Sequence, residues 1–236
     1  MLGEVGTDEG EPMARMPRRR PPQGLTAFQV EVGQVFFALS QSEGFLVVGE
    51  AALAAHRLTD RPTRDLQLVR VDGGGPVRPA LEALQADAVA LGWAAVTVPD
   101  EGSASVLLLE GQGGERLLAA LAPGDRPAYP ATLTLLGPTL AANELAGRLV
   151  AAVAQRAGGL GIPGDLVDVE ALSRRYPRRR LVRLASEADP RFDPAALARA
   201  LTSLSDLPDG DLPARPDRLP QLRGFARRWA AELLQR

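Results

Sequence analysis

The sequence contains neither cysteine nor lysine. Without cysteine the chain cannot form a disulfide or use a thiol nucleophile, which is typical of a protein of the reducing cytoplasm. Without lysine, all 27 basic side chains are arginines, so no Schiff base can form and no lysine can contact a phosphate. We therefore expect a cytoplasmic protein in which arginine alone supplies positive side chains for anion recognition.

Aromatic residues and long apolar runs are also scarce. Aromatics make up 4% of the chain, so a core must be built mainly from Leu, Val and Ala. Apolar runs such as FLVV and SVLLLE fall far short of the roughly 20 residues that a membrane-spanning helix needs. The N-terminus has no charged-then-apolar leader. We expect no membrane association and no secretion.

The net charge of −2 is too small to draw the whole chain toward nucleic acid. One local cluster departs from this balance, because the run SRRYPRRR concentrates positive charge around a tyrosine. Arginine suits phosphate recognition, so the cluster is a candidate RNA contact, and a solvated helix surface is the alternative. Its members are Arg174, Arg175, Arg178, Arg179 and Arg180.

The chain divides into three parts. Residues 1–24 lack apolar periodicity and are rich in Gly, Pro, Glu and Arg, which predicts a disordered tail. Residues 25–138 alternate between helical and strand patterns, and residues 139–236 carry helical patterns separated by Pro and Asp-Gly signals. We predict an α+β fold, in which a mixed β-sheet N-terminal domain precedes an all-helical C-terminal domain.

Periodicity and turn signals place the individual elements. A helix is expected from the Thr26 capping box, and further helices at 50–58, 77–91, from 141, and near 165–174, 179–187, 194–204 and 217–235. Strands are expected at 45–48, 65–71, 94–98, 104–110 and 115–121, with a last short strand in TLTLLG.

Residues 46–69, LVVGEAALAAHRLTDRPTRDLQLV, carry the strongest functional signal. An apolar strand runs into Gly49, a short helix follows, and a second strand opens with Asp65. Residues two apart on a strand share a face, so Asp65 and Gln67 lie side by side. A glycine turn at a helix start can offer N–H groups to phosphates, and a strand carboxylate can bind Mg²⁺. This layout is typical of phosphoryl-transfer sites.

With the helix ANELAGRLVAAVAQR and the segment GDLVDVEALSRRY, this stretch resembles the AbiEii-type nucleotidyltransferases, the toxin components of abortive-infection toxin–antitoxin pairs. The resemblance covers residues 25 to 232. It implies Mg²⁺ as the cofactor of an active member, an NTP as substrate, and tRNA or an antitoxin protein as partner. It also implies site residues. These are a catalytic, metal-binding Asp65, a metal position at Gln67, and nucleotide-binding Gly49, Glu50, Arg61 and Thr63.

The sequence departs from the family's pattern at positions that bear charge. Family members carry Gly-Gly or Gly-Ser at the turn, a second and a third acid on strands, a lysine on a helix, and an arginine before Asp-x-x-Asp. One remaining carboxylate cannot build a two-metal site, so the departures indicate a degenerate transferase. In this chain they are Glu50, Gln67, Ala120 (or Ala119), Leu149 and Gly164.

Three functions are consistent with this sequence. The first is a catalytically degenerate, toxin–antitoxin-related binding module. The second is an active Mg²⁺-dependent enzyme that moves an NMP from an NTP onto tRNA or a protein hydroxyl, with Glu50 and Asp65 holding the metal. The third is a non-catalytic RNA-binding protein that uses the arginine cluster. The sequence leaves the oligomeric state open.

Overall fold

The computed structural model describes residues 20–71, 73, 76–99, 104–156 and 162–235. Most of the predicted tail, and most of the glycine-rich break predicted from residue 158, therefore lie outside the described residues. The first helix, α1 (Ala27–Ala38), begins where the sequence predicts it. The Thr26 hydroxyl accepts a hydrogen bond from the Gln29 backbone, and the Gln29 side chain accepts one from the Thr26 backbone, which satisfies two amides of the first turn.

A seven-stranded mixed sheet forms the N-terminal half of the chain. Its spatial order is β3-β4-β5-β2-β1-β7-β6, in which β2 pairs antiparallel with β1 and parallel with β5. The strands are β1 (Phe45–Val48), β2 (Asp65–Arg70), β3 (Ala94–Val98), β4 (Ser105–Glu110), β5 (Arg116–Pro123), β6 (Thr132–Thr134) and β7 (Gly137–Thr139). The segment TLTLLG, predicted as one strand, instead supplies β6 and the turn that leads into β7.

Strand β2 shows the predicted alternation. Leu66 and Leu68 are fully buried, while Asp65, Gln67 and Val69 are partly exposed on the other face. On the buried side, α1 and α3 (Arg78–Ala90) cover the sheet, and edge-to-face ring pairs join Phe36 to Phe45 and Phe28 to Trp93. The polar side of β2 therefore remains available to line a site.

Helix α2 (Gly49–Ala55) ends earlier than predicted. Arg57 adopts a left-handed conformation with φ of 57°, while the N–H groups of Arg57 and Leu58 bond to the carbonyls of Ala54 and Leu53. This is the hydrogen-bond pattern with which helices often terminate, but the left-handed position is usually glycine. The chain then turns back toward β2.

The C-terminal half is helical, as predicted. It comprises α4 (Ala142–Gln155), α5 (Pro163–Arg175), α6 (Arg178–Ala188), α7 (Pro194–Ser205) and α8 (Leu219–Leu234). Helices α4 and α6 approach so closely that a Cβ on Gly147 would lie 2.4 Å from the Leu184 carbonyl oxygen. The stripe Phe225, Trp229 and Leu233 of α8 is buried, so it belongs to the core. None of the described helices combines the length and apolarity that crossing a membrane requires.

Candidate functional site

A cleft of about 290 Å³ lies between the sheet and the helical half. The sheet side contributes Gly49, Glu50 and Gln67, and the helical side contributes residues of α4 and α5. The cleft is thus formed by the two regions that carry the family resemblance. Its helical lining includes Leu145, Arg148, Leu149, Arg156, Ile162, Asp165 and Asp168.

Both oxygens of the Asp65 carboxylate are bound by neighbouring side chains. The Thr63 hydroxyl donates to Oδ1 at 2.5 Å, and Nε2 of Gln67 donates to Oδ2 at 2.8 Å. The backbone is held as well, because the buried Gln29 amide donates to the carbonyl oxygens of Thr63 and Asp65. The one strand carboxylate that the family pattern retains is therefore engaged within the chain.

The Gln67 side chain also covers the glycine turn. Gly49 has φ of 70°, and a Cβ built there would lie 2.6 Å from Oε1 of Gln67. A side chain that packs over Gly49 takes the place from which a phosphate would approach the turn. Gly49 and Gln67 are thus in direct contact.

Arg61 bridges the sheet half and the helical half. Its guanidinium lies 2.5 Å from the Glu50 carboxylate and 2.6 Å from that of Asp168 on α5. The Thr59 hydroxyl donates to Asp168 Oδ1 at 2.6 Å. Burial by itself would lower the pKa of Arg61, but its hydrogen bonds to Asp168 and Glu50 outweigh burial and raise it. The Glu50 carboxylate is therefore neutralised by Arg61.

Two further ion pairs lie along the helical side of the cleft. Arg156 contacts Asp165, and Arg148 contacts Glu144 at 2.7 Å. Burial raises the pKa of the Asp165 carboxyl, and the charge of Arg156 acts in the opposite direction. Leu149, at the position of the family's lysine, is partly buried in the cleft wall.

These residues do not fit a magnesium ion. Mg²⁺ requires several hard oxygen ligands in octahedral geometry, yet no cluster of three or more His, Asp or Glu side chains with a metal-binding arrangement exists in the described chain. Asp65 already accepts two hydrogen bonds, and Glu50 is paired with Arg61. The strand register pairs Gln67 with Ala120 on β5, so Ala120 occupies the position where a third acid would be needed. Ala119 lies on the opposite, buried face of the sheet.

The predicted RNA-contact arginines do not form one surface. Arg174 shares Glu170 with Arg218, and Arg175 donates to the Arg57 carbonyl oxygen. Arg178 is turned toward α8, where it pairs with Glu232 and lies over Phe225 and Trp229. Arg180 lies over Tyr176 and donates to Asn143, and Arg179 is exposed.

Sequence reasoning missed the contact of Thr59 and Asp168 with Arg61. Asp168 was recognised only as part of a segment that resembles the family, and its partners are 107 and 109 residues earlier in the chain. The signal that could have found the contact is the position of Asp168 on the buried face of α5, because a buried aspartate requires a cationic or hydrogen-bonding partner.

Comparisons with known proteins identify the fold. No family model and no curated protein matches the sequence. The structure is similar to JHP933 from Helicobacter pylori and to MenT4, a nucleotidyltransferase toxin from Mycobacterium tuberculosis, each with a TM-score of 0.53 and 14% identity. The alignments cover 89% of this chain and 94% and 90% of those chains. At this identity the similarity shows the fold alone. The chain has a nucleotidyltransferase-like α+β fold with a helical C-terminal region.

Proposed function

We propose that this chain is a degenerate AbiEii-type nucleotidyltransferase, which binds ligands or partners in a toxin–antitoxin-related setting but transfers no nucleotide. The observation that carries the proposal is the state of Asp65, whose two carboxylate oxygens accept hydrogen bonds from Thr63 and Gln67. Gln67 adds only a neutral amide and Ala120 beside it adds no ligand, so Asp65 would be the only strand carboxylate on a metal at this position, which is too few for Mg²⁺.

The charge balance of the cleft supports the same conclusion. In a metal-dependent transferase, unpaired carboxylates hold cations that in turn neutralise the phosphates. Here Glu50 is paired with Arg61 and Asp165 with Arg156. Asp168 shares Arg61 with Glu50, so every one of these acids contacts a guanidinium group, and the two contacts of Arg61 join the sheet half to the helical half without a metal.

What remains is a cleft suited to binding. Leu145, Leu149 and Ile162 supply an apolar wall, and Arg148 and Arg156 present partly exposed guanidinium groups. Such a cleft can accept a ligand with an apolar body and an anionic group without a bridging metal. An NTP is one such ligand, and an antitoxin segment is another.

The test is a label-transfer assay on the full chain. The protein is incubated with each labelled NTP, Mg²⁺ or Mn²⁺, and total tRNA, and label is measured on both RNA and protein. We expect no transfer above the level of the Asp65→Ala variant. MenT4, described as a nucleotidyltransferase toxin, serves as the positive control. Transfer that disappears in Asp65→Ala would show a working enzyme and overturn the proposal.

A calorimetric titration of NTP tests the binding part of the proposal. We expect binding not to require Mg²⁺, and affinity in the presence of a chelator to equal or exceed that in Mg²⁺, because Mg²⁺ bound to the nucleotide neutralises part of the phosphate charge that the arginines would contact. Arg148→Gln should weaken this binding, whereas Arg199→Gln, a substitution at an exposed site on α7, should not. Binding that requires Mg²⁺ favours the active-transferase alternative.

A further inference from the structure

A second concave surface lies outside the cleft. Two adjoining depressions, with volumes of about 420 and 310 Å³, share Thr59, Asp60, Ala171 and Arg174 as lining residues. They form one groove between the loop that follows α2 and the exposed side of α5. We call it the arginine groove. None of its lining residues lines the cleft.

Arginines from three separate segments converge on the arginine groove. Arg61 is already neutralised within the fold, and the acids in the lining are Asp60 and Glu170. Five other arginines against these two acids, and against Asp217, which pairs with Arg215, leave a net charge of +2, on a protein whose total charge is −2. The five are Arg57, Arg174, Arg175, Arg215 and Arg218.

Two of these arginines are not matched by acids of the fold. In the described part of the chain, no carboxylate lies within ion-pair distance of Arg57 or Arg175. Arg57 is in addition the one non-glycine residue among the described positions with a positive φ. A left-handed conformation is strained for arginine but not for glycine, and strain of this kind is concentrated at functional positions. The groove therefore displays free positive charge at a conformational cost.

The lining favours an acidic peptide over nucleic acid. Recognition of single-stranded RNA relies on aromatic side chains against which bases stack, and none of the described residues that line the groove is aromatic. Duplex binding relies on a wide basic surface, whereas this groove is short and two acids interrupt it. An extended peptide segment with several carboxylates matches both the size and the positive charge of the arginine groove.

The sequence itself contains such a segment. Glu4, Asp8, Glu9 and Glu11 give residues 4–11 a charge of −4, with no basic residue among them. We propose that this acidic segment of the same molecule binds in the arginine groove. The arginines from Arg15 onward have the opposite charge, so only the stretch before them is complementary to the groove.

The position of the described N-terminus makes the contact geometrically possible. Gln23 lines the groove, and the first described residues, Arg20 and Pro21, lie three and two residues before it against α1. Glu11 precedes Arg20 by nine residues, and an extended chain spans up to about 3.5 Å per residue, about 30 Å in all. A tether of this length gives a local concentration in the millimolar range. Exposed ion pairs are individually weak, and the tether offsets that weakness.

Because the chain lacks cysteine, a single introduced thiol provides a clean test. A nitroxide is attached at Pro213→Cys, an exposed position in the groove, and the amide signals of residues 4–11 are recorded by NMR on the full chain. We expect strong paramagnetic broadening of these signals. The same label at Val96→Cys, on the 59% exposed Val96 of β3 at the edge of the sheet opposite β6, should leave them sharp.

Charge variants show whether the arginines cause the contact. Arg57→Gly removes one charge and relieves the left-handed strain, so its combination with Arg175→Gln should fold normally and abolish the broadening. Arg191→Gln with Arg199→Gln removes two exposed charges elsewhere and should retain it. Salt at about 1 M, where the Debye length is about 3 Å, should also abolish it.

Three results would overturn the proposal. The first is the absence of broadening, and the second is broadening that persists after Arg57→Gly with Arg175→Gln. The third is broadening seen only when isotope-labelled and spin-labelled molecules are mixed, which assigns the contact to a second copy. RNA binding that depends on Arg57 and Arg175 without any peptide contact would assign the groove to nucleic acid. The outcome is independent of catalysis, so it is separable from the label-transfer test.

Discussion

The guanidinium of Arg61 fills the space beside Gly164. A Cβ built on Gly164 would lie 2.8 Å from Cζ of Arg61. Position 164 is also where the resembled family carries an arginine, so the loop arginine takes the place of a side chain that the helix lacks. The missing arginine and the ion-pair bridge are therefore two aspects of one packing arrangement.

Gly164→Ala should destabilise the protein. The added methyl group would displace a guanidinium that Glu50 and Asp168 hold from two sides, and overpacking of this kind costs about 1–3 kcal/mol. Gly224→Ala on α8 is the control, because its Cβ would meet only the end of the exposed Arg228 side chain at 3.0 Å. That change should be neutral or stabilising by up to about 1 kcal/mol. Urea unfolding measures both, and equal effects would contradict the packing argument.

Arg61→Gln should cost more than any exposed arginine substitution. The Asp168 side chain is 2% exposed and Arg61 is 14% exposed, and removing one partner of a buried pair typically costs about 3–5 kcal/mol. Thr59 still donates to Asp168, so we expect about 3 kcal/mol. Arg78→Gln, whose partner Glu82 is on the same exposed helix face, should leave the unfolding midpoint unchanged.

A double-mutant cycle separates the pair from general disruption. Combining Arg61→Gln with Asp168→Asn should recover much of the loss, because no charge is then left buried without a partner. If the two losses simply add, the ion pair does not connect the halves as described.

Restoring acids should restore metal binding. In Gln67→Asp with Ala120→Asp, three carboxylates would share one face of β2 and β5, since the register pairs residues 67 and 120. We expect this variant to bind millimolar Mn²⁺, detected by electron paramagnetic resonance, while the unmodified chain does not. The control, Gln67→Asp with Leu133→Asp, adds the same charge but places one acid on β6. Equal binding by both variants would argue against the site geometry.

Asp165 should make stability fall as the pH rises through the acid range. Burial raises the pKa of Asp165 above its usual 3.8, although Arg156 opposes the shift. At pH values between the usual pKa and the raised pKa of Asp165, the folded state binds more protons than the unfolded state, so raising the pH disfavours folding. Asp165→Asn lacks this titrating group. Its unfolding midpoint should therefore increase relative to that of the unmodified chain as the pH rises from about 3 to about 6.

Asp193 provides the opposite case. The hydrogen bond from the Ala195 amide lowers the pKa of Asp193 at the start of α7. The ionised Asp193 carboxylate therefore stabilises the folded state at pH values above its usual pKa, and this stabilisation is lost as the pH falls. The unfolding midpoint of Asp193→Asn should accordingly fall relative to that of the unmodified chain as the pH rises over the same range. Parallel trends for the two variants would contradict the assignment for Asp165.

Much of the fold follows from local pattern. The capping box of Thr26 and Gln29, the apolar run of β1 and the alternation of β2 depend on residues within a few positions of one another, and each was predicted. Helix α2 was predicted too long, because nothing in the local pattern indicates that Arg57 adopts a left-handed conformation. The hairpin of β6 and β7 was not predicted, because each strand has only three residues and so short a segment shows no clear alternation.

The candidate site was predicted in part. Gly49, Asp65 and Gln67 lie together because the β1–α2–β2 connection is local. Asp168, which contacts Arg61, and the α5 side of the arginine groove come from residues more than 100 positions later in the chain than the loop they contact. Pairing at that distance depends on how the helical half packs against the sheet.

The sequence alone determined which chemical groups this protein has, with no lysine, no cysteine, a glutamine at position 67 and an alanine at position 120. It also determined the helices and strands on which these groups lie. Only the tertiary structure decided that the remaining groups satisfy one another, with Gln67 on Asp65 and Arg61 between Glu50 and Asp168. The physical reason is that a charged group removed from water must find a partner, and the identity of that partner is fixed by packing, not by position along the chain.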